Sequence, residues 1–310
     1  MTLVSVVVLT YDRRDAVLTL LDELVRLRDP AREVIVVDNG SADGTSDAIA
    51  SRHPSVQLVA LPANRGVGAR NRGLERARGD IVVTLDDDMV EFTDANLAVL
   101  REVFTADPRL GAVNFKVTWP GTDRVRDWVH RPPAGEADRA FPTYEITEGA
   151  VAWRRAALDE VGLYREDFFI SHEGLDLSLR LLDRGWHVRY DGRLRVGHAH
   201  AAGGRKSWRR YYYDTRNLLW IATLHLPWRD AVPYLARGLG AMLVYSIRDR
   251  FLGTWVRAVR DGLLGLGPYR RERRPISAAT RRYLRECDRR RPGFWTLVLK
   301  RLRQKDFSLE

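Results

Sequence analysis

Four short apolar runs recur in the first ninety residues, Val4–Leu9, Glu33–Val37, Val56–Val59 and Ile81–Leu85. Runs of this length, apolar at successive positions rather than at alternate ones, read as strands buried on both faces. Between the first two, after the cap residue Asp12, residues Val17, Leu20, Leu21, Leu24 and Leu27 mark one face of a helix. A second helix is predicted from Thr45 to about Ser51, and a glycine-rich third from about Gly66 to Gly79. Strands and helices in alternation restrict the chain to an α/β architecture, a mostly parallel sheet with helices on both faces.

The fourth run ends in Asp86-Asp87-Asp88. Carboxylates packed this closely repel, so a folded chain keeps them together where water or a cation screens them. The carboxyl end of a strand is also where open α/β sheets bind ligands. Hard oxygen donors suit Mg²⁺ or Mn²⁺, which take one or two carboxylates together with the oxygens of a diphosphate. The plainer alternative is a solvated acidic turn. Strand alternation places Asp86 and Asp88 on one side and Asp87 on the other.

Further on, a helix is predicted over 97–104 and a strand over 111–118, followed by a proline-punctuated loop over 119–143. Helices are predicted at Arg154–Val161 and Leu175–Arg184, and two short strands at Trp186–Tyr190 and Leu194–Val196. Beyond Trp208 the chain turns aromatic and arginine-rich, with helical spacing over 207–225, 230–247 and 251–264. The single cysteine, Cys287, excludes an internal disulfide and a cysteine-based zinc cluster, as suits a reducing cytosol. Met1 leads straight into the first apolar run with no basic leader, and no apolar run reaches the ~18–20 residues that span a bilayer. A cytoplasmic protein is expected. Residues 248–310 carry 18 Lys/Arg against 7 Asp/Glu, while the whole chain has 51 and 41, so the basic character belongs to the C-terminal fifth.

Several motifs occur in a telling order: Ser5–Arg13, Val36–Ser41, Asn64–Gly73, Leu85–Asp88, Gly149-Ala150, Glu173–Leu177, Val196-Gly197-His198 and Arg216-Asn217. In this order they resemble family 2 glycosyltransferases of the GT-A fold, the inverting, nucleotide-sugar-dependent type that includes rhamnosyl- and galactofuranosyl-transferases. The resemblance runs from about Ser5 to Pro227. It implies a GT-A domain over 1–227, with a nucleotide-binding half over about 1–118 and an acceptor half over about 119–227. A basic amphipathic helical region follows over 228–310.

Residue by residue, the resemblance implies that Thr10, Tyr11 and Asp12 meet the nucleobase and that Asp38 reads its edge; a well-formed turn explains Asp38 equally. Asn64 and Gly66 let the chain approach the ligand, and Arg70 meets phosphate charge. Asp86 or Asp87 would hold the ribose. Asp88 would ligate Mg²⁺ or Mn²⁺, with His198 as a second ligand and His200 as its rival. The catalytic base of the family comes from a Glu-Asp-x-Asp segment, usually its second position, which here is Gly174. Glu173 is therefore the expected base and Asp176 the second candidate. The plainer readings are a helix-start acid for Glu173 and a pair with Arg180 for Asp176. Gly149, Trp153 and the loop bearing Trp119 and Trp128 are candidates for the acceptor pocket, although tryptophans are as often core.

The expected reaction is transfer from a UDP- or dTDP-sugar to a hydroxyl of a saccharide or lipid-linked envelope acceptor. A small natural product as acceptor, or a degenerate binding protein, are the alternatives. A dinucleotide oxidoreductase is disfavoured because no Gly-x-Gly-x-x-Gly follows the first strand, and no nucleic-acid module is recognisable. The basic tail suits an anionic membrane surface, a lid over a diphosphate-linked acceptor, or a solvated face.

Overall fold

The computed structural model describes residues 2–199 and 207–289. His200 and the part of the basic tail beyond residue 289 lie outside them. In chain order the first half reads β1 (Val4–Thr10), α1 (Arg14–Val25), β2 (Arg32–Asp38), α2 (Thr45–Arg52), β3 (Gln57–Ala60), α3 (Arg70–Leu74), β4 (Ile81–Asp86), β5 (Met89–Val90) and α4 (Asp94–Ala106). Then follow β6 (Leu110–Thr118), β7 (Ala140–Pro142), β8 (Ala150–Arg154), α5 (Arg155–Val161), α6 (Glu173–Asp183) and β9 (His187–His198). Helices α7 (Trp208–His225), α8 (Trp228–Arg248), α9 (Leu252–Leu264), α10 (Leu266–Arg271) and α11 (Ala278–Asp288) complete the described chain.

The strands form one sheet in the order β3-β2-β1-β4-β8-β6-β9-β5, with β7 on β9. The nucleotide half is parallel, as the alternation requires: β1 lies between β2 and β4, and β2 carries β3. The second half adds antiparallel neighbours. β8 runs against both β4 and β6, a strand hidden in the sequence because Ala150-Val151-Ala152-Trp153 is short and alanine-rich. The two strands expected at 186–190 and 194–196 are one strand, β9, whose register on β6 slips between Asp191 and Arg195. The glycine-rich helix is shorter than expected: a 3₁₀ turn over Gly66–Ala69 leads into α3, which ends at Leu74.

Both sheet faces are covered. Val4, Val6 and Val8 pack with Leu20, Leu21 and Leu24 of α1 and Leu97 and Leu100 of α4. Val7, Ile35 and Val37 face the other way, with Leu74, Trp153, Leu158 and Leu177. This double covering explains why the strands read as continuous apolar runs. A third cluster joins Phe168 and Leu179 to Leu219, Trp220 and Leu224 of α7 and Tyr269 of α10, so the C-terminal helices dock on α6.

Candidate active site

Parallel register brings the sequence-expected residues to one edge. Thr10 pairs with Asp38 across β1 and β2, and Leu9 pairs with Asp86 across β1 and β4. The strand stops at Asp86, and Asp87 and Asp88 form the turn into β5. Side-chain alternation therefore lapses, and the expectation of Asp87 opposite its neighbours does not hold. Arg13 Nη1 bridges the two, 3.1 Å from Asp87 Oδ1 and 2.5 Å from Asp88 Oδ2. Thr10 Oγ1 donates to Asp87 Oδ2 at 2.8 Å. Asp86 turns away and pairs with the buried Arg70.

Each carboxylate meets a different field. Burial pushes Asp87 up to about 6, against the pull of Arg13 and Thr10. Asp88 is also buried, but His198 and Arg13 outweigh burial and hold it at about 2. Burial raises Asp86 despite Arg70. Of three adjacent aspartates, two thus hold their proton more tightly than usual and the third less.

His198 reaches Asp88 because β5 pairs with the end of β9, Met89 opposite His198. Its Nε2 lies 3.3 Å from Asp88 Oδ1, and its Nδ1 lies 2.5 Å from Asp127 Oδ2. Against burial, these two acids raise the imidazole to about 9. Two donors placed at right angles on a cation at ~2.1 Å would lie about 3 Å apart, so Asp88 and His198 fit a hard divalent ion provided that the ion displaces the proton His198 Nε2 now shares with Asp88. No three His, Cys, Asp or Glu side chains among the described residues are placed to hold an ion. A cation here would draw its remaining ligands from elsewhere, as Mg²⁺ and Mn²⁺ do from phosphates.

Asp38 is buried at the foot of the turn after β2. Its carboxylate accepts from Ser41 N at 3.0 Å and from Ser46 Oγ, so it organises that turn. Asp12 accepts from Ala42 N at 2.7 Å, tying the same turn to the end of β1. Tyr11 is left exposed beside them. Asn64 Oδ1 accepts from Gly66 N at 2.8 Å. Gly66 has φ of 68°, and a Cβ there would lie 2.0 Å from Phe169 O, which only glycine tolerates. Arg70 is buried with Nε and Nη1 lacking any partner among the described residues.

The two base candidates separate. Both are buried at the start of α6, but both oxygens of Asp176 are engaged: Oδ2 with Arg180 Nη2 at 2.7 Å and Oδ1 with His225 Nε2 at 2.7 Å. Asp176 therefore clamps α6 to α7 instead of opening toward a pocket shared with Glu173. Glu173 keeps Oε2 buried and without a partner among the described residues. Burial raises it to about 7, with Arg70, Asp214 and Asp86 acting on it. It is therefore close to the Arg70–Asp86 pair.

Of the acceptor candidates, Trp153 is core. It is fully buried in the cluster with Val7 and Leu177 and donates Nε1 to Thr84 Oγ1 at 3.2 Å. The expected pocket role is thereby corrected: β8 is a central strand and points this indole into the layer under α5. Trp128 packs edge-on against His130 and Tyr190 in a buried aromatic group. Trp119 is stacked under Arg126. Gly149 does reach the site, since its carbonyl accepts from Asp86 N at 3.0 Å and a Cβ would lie 3.1 Å from Asp86 Oδ2. Arg13, Asp127 and Glu148 were not anticipated. Arg13 stood inside the first motif and Glu148 just before Gly149, whereas Asp127 lies in a loop without periodic signal.

A doubly covered sheet with an acidic turn at the carboxyl edge of a central strand is an α/β scaffold of the GT-A kind. Residues 5–162 match the family described as Glycosyl transferase family 2, and the chain belongs to it. It is 23% identical over 201 residues to the poly-beta-1,6-N-acetyl-D-glucosamine synthase of Staphylococcus epidermidis, covering 61% of this chain and 48% of that protein. The chain spans about half the length of the curated relatives it matches. Among solved structures, a Pyrobaculum calidifontis mannosyltransferase in complex with GDP-Man and Mn²⁺ superposes with TM-score 0.55 at 20% identity, covering 98% of this chain and 88% of that one. Staphylococcus aureus TarS 1–349 superposes with TM-score 0.56 at 17% identity, covering 93% and 90%. These two likenesses establish the fold.

Proposed function

We propose that the chain is a metal-dependent inverting glycosyltransferase that moves a sugar from a nucleotide-sugar to a hydroxyl of a saccharide or lipid-linked acceptor. The observation that carries this reading is the placement, around one strand end, of the Asp88–His198 pair, a buried guanidinium with two unpartnered nitrogens (Arg70) and a buried carboxyl with an unsatisfied oxygen (Glu173). The exposed Tyr11 would stack on the base, over the turn that Asp38 and Asp12 organise. Asp86 and Asp87 stand beside the ribose position, and Asn64 and Gly66 shape the chain that approaches it.

Asp88 and His198 would hold Mg²⁺ or Mn²⁺, which when bound offsets charge on the departing diphosphate. Arg13, half-exposed and paired with Asp87 and Asp88, supplies positive charge to the same end of the site. Arg70 Nε and Nη1 offer two donors to anionic oxygens. Glu173 takes the proton of the acceptor hydroxyl while that oxygen bonds to the anomeric carbon. The bond from that carbon to the diphosphate oxygen breaks, its electron pair leaving with the nucleoside diphosphate. Entry opposite the leaving group inverts the configuration.

Calorimetric titration with UDP, dTDP and GDP, each with Mn²⁺ and with EDTA, tests the donor end. Binding of one nucleotide only with metal is the expected result, with UDP or dTDP favoured; GDP is included because the Pyrobaculum calidifontis neighbour carries GDP-Man. Absence of binding by all three would overturn the reading.

The chain is also proposed to work at an anionic membrane surface. No described helix is long and apolar enough to cross a membrane. Helices α8 and α9 nevertheless expose Val232, Val244, Ile247, Val256, Leu263 and Leu264 beside arginines. The acids of this region are paired, Asp230 with Arg281 of α11, Asp249 at the end of α8 with Arg248, and Asp261 with Arg260. An apolar face fringed by arginine suits shallow insertion among anionic headgroups.

A further inference from the structure

A side chain at Gly174 has no room. A Cβ there would lie 2.0 Å from Glu148 Oε1 and 2.6 Å from its carboxyl carbon. The carboxyl group of Glu148 occupies that place, and its Oε1 accepts from Gly174 N at 2.7 Å. Glu148 is itself held by the next residue, because Gly149 bonds the backbone of Asp86 at the end of β4. Glu148 Oε2 and Glu173 Oε2 are both fully buried, and neither has a hydrogen-bond partner among the described residues. The two carboxyls act on each other electrostatically.

Two buried carboxyls with one unsatisfied oxygen each are costly to ionise together, and a proton shared between them relieves both. Arg70 Nε and Nη1 and the Tyr164 hydroxyl are the unpartnered donors of the same group among the described residues. The charged and titratable groups that face them are Arg70 of α3, Asp86 of β4, Tyr164 before α6 and Asp214 of α7, with His172 preceding Glu173. Arg70 is the cation that acts on both, and its guanidinium is already paired with Asp86. Asp214 adds further negative charge. One guanidinium shared by Asp86 and two further buried carboxyls favours keeping one of the two glutamates an acid.

We propose that Glu148 is a positioning residue for Glu173, standing where position 174 lacks a side chain and offering a carboxylic acid proton to the Glu173 carboxylate. The proposal rests on the reading of Glu173 as the base. With Oε1 accepting from Gly174 N, the proton of Glu148 sits on Oε2, and its donation satisfies both unpartnered oxygens at once. Burial, reinforced by Glu173, raises Glu148 well above the usual carboxylate range, in agreement with this assignment. During transfer the Glu148 proton stays in place. The hydroxyl proton goes to Glu173 and leaves to solvent once the product departs.

Infrared difference titration of the full chain tests this without any substrate. Glutamine reproduces the acid's pattern, a carbonyl that accepts and an amide that donates, whereas leucine fills similar space and does neither. The expected result is a protonated-carboxyl band at pH 8 that Glu148→Gln removes and Glu173→Gln retains. A second carboxyl, absent in Glu173→Gln, should titrate near 7. Its midpoint should hold in Glu148→Gln and rise by about one pH unit in Glu148→Leu, since losing a donor disfavours the carboxylate. No band lost in Glu148→Gln at pH 8 would overturn the proposal, as would an unmoved midpoint in folded Glu148→Leu; should that variant not fold, the glutamine variant alone decides. Normal turnover by Glu173→Gln with these infrared results intact would remove the base reading and leave the shared proton standing.

Discussion

Asp88 and Glu173 are both buried, and their neighbours fit them for the different tasks proposed for them. Asp88 faces Arg13 and, without metal, a protonated His198, so it stays ionised; a bound cation would take the place of the His198 proton. Glu173 is buried beside other acids, so it binds its proton far more tightly, as a base working near neutral pH needs. Asp88→Asn is expected to abolish the metal-dependent part of nucleotide binding, read as loss of the difference between Mn²⁺ and EDTA titrations. Glu173→Gln should leave nucleotide affinity near wild type and lower turnover by roughly 10²–10⁴-fold, the usual worth of a general base. Trp153→Ala should lower stability by ~3–5 kcal/mol in denaturant unfolding, as a large core truncation does. Its nucleotide binding should survive wherever the variant stays folded.

Helix α6 carries the proposed base and, within a turn of it, a residue committed to the fold. Glu173 and Asp176 lie within a turn, yet the second is committed to Arg180 on its own helix and His225 on α7. Burial alone would raise Asp176, but these partners hold it at about 2, below its ordinary 3.8. A depressed folded value means stability that is present above about pH 4 and lost as pH falls through 3.8 toward 2. The amount is about 2 kcal/mol. Acid unfolding followed by circular dichroism should show this loss in the wild type. Asp176→Ala should lack it and start ~1–3 kcal/mol less stable, because the buried His225 loses its partner while half-buried Arg180 keeps only the carbonyls of Val161, Gly162 and Leu163.

At the level of the whole molecule, the C-terminal helices dock on the α/β body through Phe168, Trp220 and Tyr269 and turn exposed apolar residues outward on α8 and α9. Flotation with vesicles rich in anionic lipid should carry the protein upward at low salt and release part of it at high salt. Replacing Ile247, Val256 and Leu264 together by serine should abolish flotation and leave nucleotide binding intact. Protein remaining wholly in the soluble fraction with anionic vesicles would remove the membrane proposal.

The sequence by itself determined the parallel half of the sheet, because strands buried on both faces must be apolar at every position. It also placed the acidic turn at the end of β4 and put Thr10, Asp38 and Asp86 on successive strand ends. Pairings far apart in the chain were beyond it. Only the tertiary structure inserted β8 between β4 and β6, which sent Trp153 into the core, and closed β9 onto β5, which set His198 beside Asp88. Glycine at 174 was legible only as a missing acid. Its physical reason is the carboxyl of Glu148, 26 residues earlier and in hydrogen-bond contact with its backbone, where a side chain would collide.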